Sequence, residues 1–334
     1  MAQLIKLQDY ISRYQIDLTR YPTQFVRLKR TQWEKVKHQW MTGEEPIVWK
    51  HIEEEEEEPK RFNFFKKWLH KKHAAEEEED IESVDVSHEA MDGEGQFESE
   101  STLSFEPNIV YHPETLDELK RMFLDQFFHF QLKWASSTLL EKSYIDSRFY
   151  RDTFLRTVLQ QLPDNYLVFY YPIIKIKKAP IELDVIILTP TECLCITLLE
   201  QEEDAVYVDD DDRFWTKKIG KRNDKILSPV IQLNRMEAIV EQLFKNHQVE
   251  FPIRKILLSR NGYFPQSMSL FNIQLIDRRR YSDWLKHLKY APSPIKKNQI
   301  EAAEAIISNV DTVAFSRSLW EAQMQQQLNE DQAD

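Results

Sequence analysis

The sequence predicts an α/β fold in which helices flank a mixed sheet, and three observations support this prediction. Apolar residues make up 42% of the 334-residue chain, enough to form a substantial core. Between residues 164 and 200, runs of branched and aromatic residues typical of buried strands follow one another. Segments whose apolar residues recur with helical spacing precede and follow these runs. We therefore expect residues 148–290 to form one α/β domain with the element order α-β-β-β-α-β.

Charged residues divide the chain before this domain into a basic part and an acidic part. The formal net charge is −12, yet residues 1–50 carry nine Lys and Arg against five Asp and Glu. Residues 51–106 carry six against nineteen, with like-charge blocks at Glu53–Glu58 and Glu76–Asp80. Because such blocks repel one another and bury little apolar area, they favour disorder. We predict a basic helical region at 1–50 and an acidic disordered linker at 51–106.

Two stretches before the domain combine aromatic and basic residues. In the predicted N-terminal helix, Phe25, Trp33 and Trp40 form a loose apolar stripe among arginines and lysines. The favoured interpretation is that this stripe packs on the main domain, and the alternative is a surface for nucleic acid, a membrane or a protein partner. Residues 60–73 mix large apolar side chains with six basic residues. They are expected to contact a protein partner, a membrane or their own acidic neighbours.

Helices are also predicted on both sides of the α/β domain. In residues 107–147, Leu116, Phe123 and Phe130 recur with a nearly helical period, which indicates a helical lead-in. Residues 291–334 are expected to form a C-terminal helical tail that ends in polar residues.

Cysteine content and the lack of long apolar runs favour a cytoplasmic protein. The two cysteines, Cys193 and Cys195, would point to the same face of a strand and would make a poor disulfide pair. No apolar run approaches the ~20 residues of a membrane-spanning helix, and we expect no signal peptide or transmembrane segment. Neither a glycine-rich phosphate-binding loop nor a histidine–cysteine zinc spacing occurs.

Acidic residues interrupt the apolar pattern of the predicted core. Asp152 falls on the apolar stripe of a helix that includes Leu155. Asp184 lies inside the strand predicted for 181–190, and Glu182 shares its face. Because a lone ionised carboxylate is costly to bury, Asp184 must be paired, hydrogen-bonded or metal-bound. We expect the three acids to converge, and the alternatives are a structural role for Asp184 and a helix cap at Asp152.

Six segments between residues 149 and 264 carry a further pattern. In chain order they are FYRDTFLRTVLQQLP, IELDVIILTP, CLCITLL, DDRFWTKKIG, SPVIQLNRMEAIVEQL and PIRKILLSRNGYF. The T-P turn after E-L-D and the Pro-x-x-Gln helix are the most specific parts. Together the segments resemble the nuclease-related domain (NERD) family of the PD-(D/E)XK superfamily. The resemblance implies a restriction-endonuclease-like core and cleavage of nucleic acid with a divalent metal.

The resemblance also assigns site residues, position by position. It places the family's helix acid at Asp152, its strand aspartate at Asp184 and its helix glutamine at Gln232, in the same cleft. Asp184, Asp152 and Glu182 would then be the metal ligands, for Mg²⁺ or Mn²⁺ if the protein is active. An exposed position on the helix surface, without a role in a site, is the alternative for Gln232.

The catalytic pair of the family is missing from this sequence. The E-x-K motif falls on Thr197 and Leu199, which by strand alternation share the face that should meet Asp184. Without the second acid and the lysine, the resemblance implies a degenerate site. We therefore favour an inactive relative that binds nucleic acid or a protein partner and has no certain cofactor. The alternatives are an active nuclease with relocated ligands and Lys175 or Lys177, and a scaffold that acts through its helical arms and linker.

Overall fold

A computed structural model describes residues 1–43, 105, 113–138, 141–176, 179–200, 202–211, 213–290 and 293–312. Most of the predicted acidic linker, including residues 60–73, lies outside the described residues, as does the end of the tail predicted for 291–334. Within the described ranges the protein is mixed α/β, as the sequence predicts. No helix in these ranges combines the length and the hydropathy needed to cross a bilayer.

A six-stranded sheet forms the centre of the structure. Its strands, in spatial order, are β1 (Gln3–Leu7), β2 (Leu167–Tyr170), β5 (Val185–Leu188), β6 (Cys193–Leu198), β10 (Ile253–Leu258) and β11 (Ile273–Ile276). Neighbouring strands are parallel except where β5 pairs with β2 and with β6, so the sheet is mixed. Every residue of β2 and β5 is buried, because helices cover the sheet on both faces.

Two smaller sheets interrupt the order α-β-β-β-α-β that the sequence predicts. The hairpin of β3 (Ile173–Ile176) and β4 (Ala179–Glu182) lies between β2 and β5 in the chain. A three-stranded sheet follows β6 and consists of β7 (Val206–Asp209), β8 (Phe214–Ile219) and β9 (Arg222–Leu227). The single strand expected at 181–190 is therefore wrong, because the chain leaves the hairpin after β4 and enters the central sheet only at β5.

Helices pack against the central sheet and against one another. In chain order they are α1 (Arg20–Thr42), α2 (Leu116–Ala135), α3 (Ser147–Arg151), α4 (Thr153–Gln161), α5 (Pro229–Asn246), α6 (Tyr281–Lys289) and α7 (Lys297–Ile307). α2 packs on β1 and α4, whereas α5 packs on β6, β10 and α7. The helices thus bury their apolar stripes on the sheet, which is the basis of an α/β fold.

The N-terminal region departs from the helical prediction for residues 1–50. Its first residues form the edge strand β1, which pairs in parallel with β2, and α1 begins only after it. This strand is not evident from the sequence, because the polar residues Gln3 and Lys6 interrupt its apolar residues. Both are buried: the Gln3 amide donates to the Asp164 carbonyl at 2.7 Å, and the Lys6 amine donates to the Tyr10 carbonyl at 2.5 Å.

Aromatic side chains attach α1 and α2 to each other. The ring centroids of Trp33 and Phe123 lie 5.4 Å apart, and those of Phe25 and Phe127 lie 5.3 Å apart. Such ring pairs contribute about 0.5–1.5 kcal/mol each beyond the area they bury. The apolar stripe of the N-terminal helix therefore packs on α2, which precedes the domain predicted for residues 148–290, and its packing on that domain stays a prediction.

The C-terminal region contributes a core helix. Ala302 and Ile306 of α7 are buried, and the buried Gln299 amide donates to the Leu188 carbonyl at 3.0 Å. After α7 the chain continues beside the β3–β4 hairpin, where Val310 forms an antiparallel bridge to β3. Residues on both sides of the predicted domain are thus part of one folded structure.

The first prediction concerns β1, which the sequence did not reveal. Ile5→Ala should lower the free energy of unfolding by about 2–5 kcal/mol, because Ile5 is fully buried and its removal leaves a cavity. Urea unfolding followed by circular dichroism measures this difference. Ile16, which is 61% exposed, is the matched control, and Ile16→Ala should change stability by less than about 0.5 kcal/mol. Equal effects of the two variants would show that β1 does not belong to the core.

Candidate functional site

The candidate site lies at one end of the central sheet. β2, β6 and β10 run in the same direction, so their carboxyl ends meet there, and the antiparallel β5 begins at that end. Tyr171 follows β2, Asp184 precedes β5, and Leu199 follows β6. In open α/β sheets, ligands bind outside the carboxyl ends of the strands. Asp184 therefore occupies a position where such folds place functional side chains.

Both carboxylate oxygens of Asp184 accept hydrogen bonds from neutral side chains. The Thr197 hydroxyl donates to Oδ2 at 2.5 Å, and the Gln232 amide Nε2 donates to Oδ1 at 2.6 Å. Thr197 reaches Asp184 because Val185 pairs with Ile196 across β5 and β6, which sets the preceding and following residues side by side. The structure thus brings Asp184, Thr197 and Gln232 together in one contact.

Gln232 reaches Asp184 from the first turn of α5. Ser228 precedes this helix, and Pro229, which lacks a backbone N–H, begins it. Gln232 is largely exposed, yet its amide points at the buried carboxylate. Its place on the rim of the site explains how one side chain can be both a surface residue and a partner of Asp184.

Burial sets the protonation behaviour of Asp184. The carboxyl is only 7% exposed, and this loss of hydration raises its pKa above the ordinary value of 3.8. The negative charge of Glu182 raises the pKa further, whereas the hydrogen bonds from Thr197 and Gln232 lower it. The net upward shift means that the two neutral donors only partly replace the water that an exposed carboxylate would bind.

Asp152 has a structural role at the start of α4. Its Oδ1 accepts from the backbone N–H groups of Phe154 and Leu155, both at 2.9 Å, so it caps this helix. Its Oδ2 accepts from the Tyr170 hydroxyl at 2.6 Å. The helix expected from Phe149 onward is therefore interrupted at Asp152, which separates α3 from α4.

Asp152 and Asp184 lie at the same end of the sheet but on opposite faces. Tyr170, which holds Asp152, is the cross-strand partner of Val185, so the two side chains share a face. Asp184 precedes Val185 and contacts Thr197, which belongs to the other face. The two acids therefore have different hydrogen-bond partners, although both lie close enough to Tyr171 to raise the pKa of its phenol. Because Asp152 is the N-cap of α4 and lies outside its regular turns, the helical spacing of the apolar residues does not predict where its side chain points.

Glu182 also lies apart from the central sheet. It is the last residue of β4, is exposed, and pairs with Ile173 across the hairpin. The face that Glu182 was expected to share with Asp184 is lost because the chain changes sheets between them. Among the described residues, no three His, Cys, Asp or Glu side chains form a group that could hold a metal ion. Asp152, Glu182 and Asp184 are thus not assembled as one ligand set.

Comparison with known proteins identifies the part of the chain that contains this site. Residues 149–259 match the model of the family described as nuclease-related domain (NERD). This segment is a nuclease-related domain. A curated protein of Geobacillus stearothermophilus, named RNA 2',3'-cyclic phosphodiesterase, is 55% identical over 40 residues. The match covers 12% of this chain and 13% of that protein, so it spans about an eighth of the relative's length. No solved structure matches the chain.

At the two positions where the resemblance places the catalytic pair of the family, this chain has uncharged residues. Thr197 falls at the place of the second acid, and its hydroxyl donates a hydrogen bond to Asp184. Leu199 occupies the place of the lysine and is buried, and its carbonyl accepts from the hydroxyls of Ser259 at 2.6 Å and Tyr207 at 3.2 Å. Of the two lysines considered as substitutes, Lys175 is exposed on β3 and Lys177 lies outside the described residues.

Tyr171 is a site residue that the sequence analysis missed. Its φ of 49° is in the left-handed region, which non-glycine residues rarely adopt, and it turns the chain from β2 into β3. Burial raises the pKa of its phenol, and the charges of Asp184 and Asp152 raise it further. Tyr171 therefore lies near both carboxylates. Pro172, which interrupts the strand pattern, is the sequence signal that could have indicated this turn.

Arg260 and Glu200 form a second missed feature at this end of the sheet. The guanidinium donates to both carboxylate oxygens of Glu200, at 2.5 and 2.6 Å, and also to the Thr153 hydroxyl at 3.1 Å. Such a bidentate pair is among the stronger ion pairs in proteins. Because Thr153 begins α4, this cation is directed to the Asp152 side of the sheet and is already neutralised there.

The second prediction follows from the raised pKa of Asp184. Since the folded state favours the protonated carboxyl, ionisation of Asp184 lowers the stability of the fold as pH rises above about 4. Asp184→Asn removes this cost and keeps a side chain that can bond to Thr197 and Gln232. The melting temperature of the variant, relative to the natural protein, should therefore be higher at pH 8 than at pH 4.

The control for this experiment is Glu241→Gln, because Glu241 is exposed on α5 and the exchange is chemically equivalent. Its melting temperature should follow that of the natural protein at both pH values. A difference between Asp184→Asn and the natural protein that stays constant with pH would contradict the assigned environment of Asp184.

Proposed function

We propose that this protein binds nucleic acid and that its nuclease-related segment does not cleave it. The observation that carries this proposal is the environment of Asp184, whose two carboxylate oxygens each accept a hydrogen bond from an uncharged side chain, Thr197 or Gln232. In the family, the corresponding carboxylate holds a divalent cation for hydrolysis. Here the same side chain is engaged in a buried structural contact instead.

The residues around Asp184 do not fit a catalytic divalent cation. Mg²⁺ and Mn²⁺ require several oxygen ligands in a regular arrangement, usually with more than one carboxylate. Asp184 is a single carboxylate, and its two neighbours present hydrogens to it rather than lone pairs. A cation at this position would meet a hydrogen-bond donor on each carboxylate oxygen and would gain only one charged ligand. We therefore derive no catalytic step through a metal.

The face of the sheet that carries Asp184 also lacks a cation for catalysis. Lys255, on β10, lies on this face, but its amine contacts Glu237 at 2.7 Å and Asn234 at 3.0 Å. Arg260 is held by Glu200 on the other side. Cleavage of a phosphodiester needs a positive group that stabilises the developing charge, and the side chains described around Asp184 supply none.

This geometry gives less support to the two alternative functions that the sequence allows, an active nuclease and a scaffold. An active nuclease with relocated ligands would need Asp152, Glu182 and Asp184 as one ligand set, and the described residues contain no such group of three. A scaffold acting through free helical arms finds less support, because α1 packs on α2 and α2 packs on β1. A protein partner for residues 60–73 stays a prediction, because these residues are outside the described ranges.

Two observations refine the proposal. The similar protein of Geobacillus stearothermophilus carries a name that refers to RNA, which makes RNA a candidate ligand beside DNA. Cys193 and Cys195 are unpaired thiols in the buried strand β6, which fits a reducing compartment, and we place the protein in the cytoplasm on this basis.

The third prediction is that the purified protein does not degrade supercoiled plasmid or single-stranded RNA in Mg²⁺ or in Mn²⁺. Loss of one preorganised charged group costs about 10²–10³ in rate, and this site has lost two. Gel electrophoresis after prolonged incubation is the measurement, with EDTA and Asp184→Ala as controls. Nicking that disappears both with EDTA and with Asp184→Ala would show that the ligands have moved and that the protein is an enzyme.

A further inference from the structure

A groove crosses the protein at the end of the sheet opposite to Asp184. It lies between α1, α2 and the turn that leads from α4 into β2, where the parallel strands begin. Two cavities of about 670 and 690 Å³ form it, and both are lined by Val26, Pro163, Asp164 and Lys289. Because they share these residues, the cavities are parts of one continuous groove.

Basic side chains outnumber acidic ones among the residues that line this groove. Six of them are Arg27, Lys29, Arg30, Lys120, Arg121 and Lys289. The acidic lining residues are Asp117 and Asp164, and Asp164 pairs with Lys29 at 3.2 Å. Within the described ranges, the remaining five basic residues form no ion pair and are exposed. This concentration of unpaired positive charge contrasts with the net charge of −12 of the whole chain.

An exposed aromatic residue lies in the same groove. Tyr290 lines one of the cavities and is 74% exposed, whereas tyrosine side chains in folded proteins are more often partly buried. Trp33, on α1, lines the other cavity and remains partly exposed beside Phe123. Proteins that hold single-stranded nucleic acid combine a positively charged groove for the backbone with aromatic side chains on which bases stack.

We propose that this groove binds single-stranded nucleic acid, with the basic residues of α1 and α2 on the phosphates and Tyr290 stacked on a base. This inference rests on the proposed function and assigns its binding surface. That surface is formed largely by helices before residue 149, outside the segment that matches the nuclease-related domain. A single strand fits better than a duplex, because stacking on Tyr290 requires an unpaired base.

The experiment compares a groove variant with a charge-matched control. The groove variant combines Arg27→Gln, Arg30→Gln, Lys120→Gln and Arg121→Gln, all at exposed helix positions. The control removes four exposed basic residues elsewhere through Lys133→Gln, Lys221→Gln, Arg235→Gln and Lys245→Gln. Fluorescence anisotropy with labelled single-stranded RNA, single-stranded DNA and a duplex gives the Kd of each protein over a range of salt concentrations.

The groove variant should bind both single strands at least about tenfold more weakly than the control, which should bind like the natural protein. Each phosphate contact adds about 0.7 to the slope of log Kd against log salt for single strands, so four losses should lower this slope by about 3. Tyr290→Ala should weaken single-strand binding about fivefold or more and leave duplex binding unchanged. Comparison of RNA with DNA then identifies which single strand is preferred.

Three results would overturn the assignment. If the natural protein binds but the groove variant and the control lose affinity equally, nucleic acid binds on another surface. If Tyr290→Ala weakens duplex and single strands alike, the groove does not select unpaired bases. In a further variant, Glu53–Glu58 are replaced by glutamine. If only this variant binds nucleic acid, the groove of the natural protein binds its own acidic segment instead. Absence of binding by every variant, including this last one, would instead refute the proposed function itself.

Discussion

The contact of Asp184 with Thr197 and Gln232 connects the fold of this protein to its function. A buried carboxylate must be compensated, and families of metal nucleases do so with a cation. Here a hydroxyl from the neighbouring strand and an amide from the first turn of α5 take that role. Under the proposed function, the aspartate stabilises the junction of β5, β6 and α5 and does not take part in catalysis.

This contact could be predicted in large part from the sequence. Strand alternation placed Thr197 opposite Asp184, and the Pro-x-x-Gln pattern placed Gln232 at the start of a helix. Both inferences depend on local periodicity within regular elements, which sequence patterns express well. The positions of β2, β5 and β6 follow for the same reason, since each of these strands is a short, largely apolar run bounded by turn residues.

The parts that sequence analysis missed depend on contacts between distant residues. Asp152 occupies a break between two short helices, so helical spacing could not give the direction of its side chain. β1 contains Lys6, whose buried amine donates to the Tyr10 carbonyl and to the Thr312 hydroxyl. Thr312 lies some three hundred residues after Lys6 in the sequence. Burial lowers the pKa of Lys6 to about 7, an environment that its neighbours along the chain do not reveal. Irregular backbone and long-range pairing thus limit what a single sequence can show.

The most direct test of the central claim is whether Asp184 binds a divalent cation. Electron paramagnetic resonance of Mn²⁺ detects the free ion, so titration of the natural protein and of Asp184→Ala measures binding independently of activity. We predict the same free Mn²⁺ signal with both proteins, since Asp184 is a single carboxylate whose two oxygens accept hydrogen bonds from Thr197 and Gln232. A signal that the natural protein suppresses and that Asp184→Ala restores would contradict the account, because it would show that Asp184 still acts as a metal ligand.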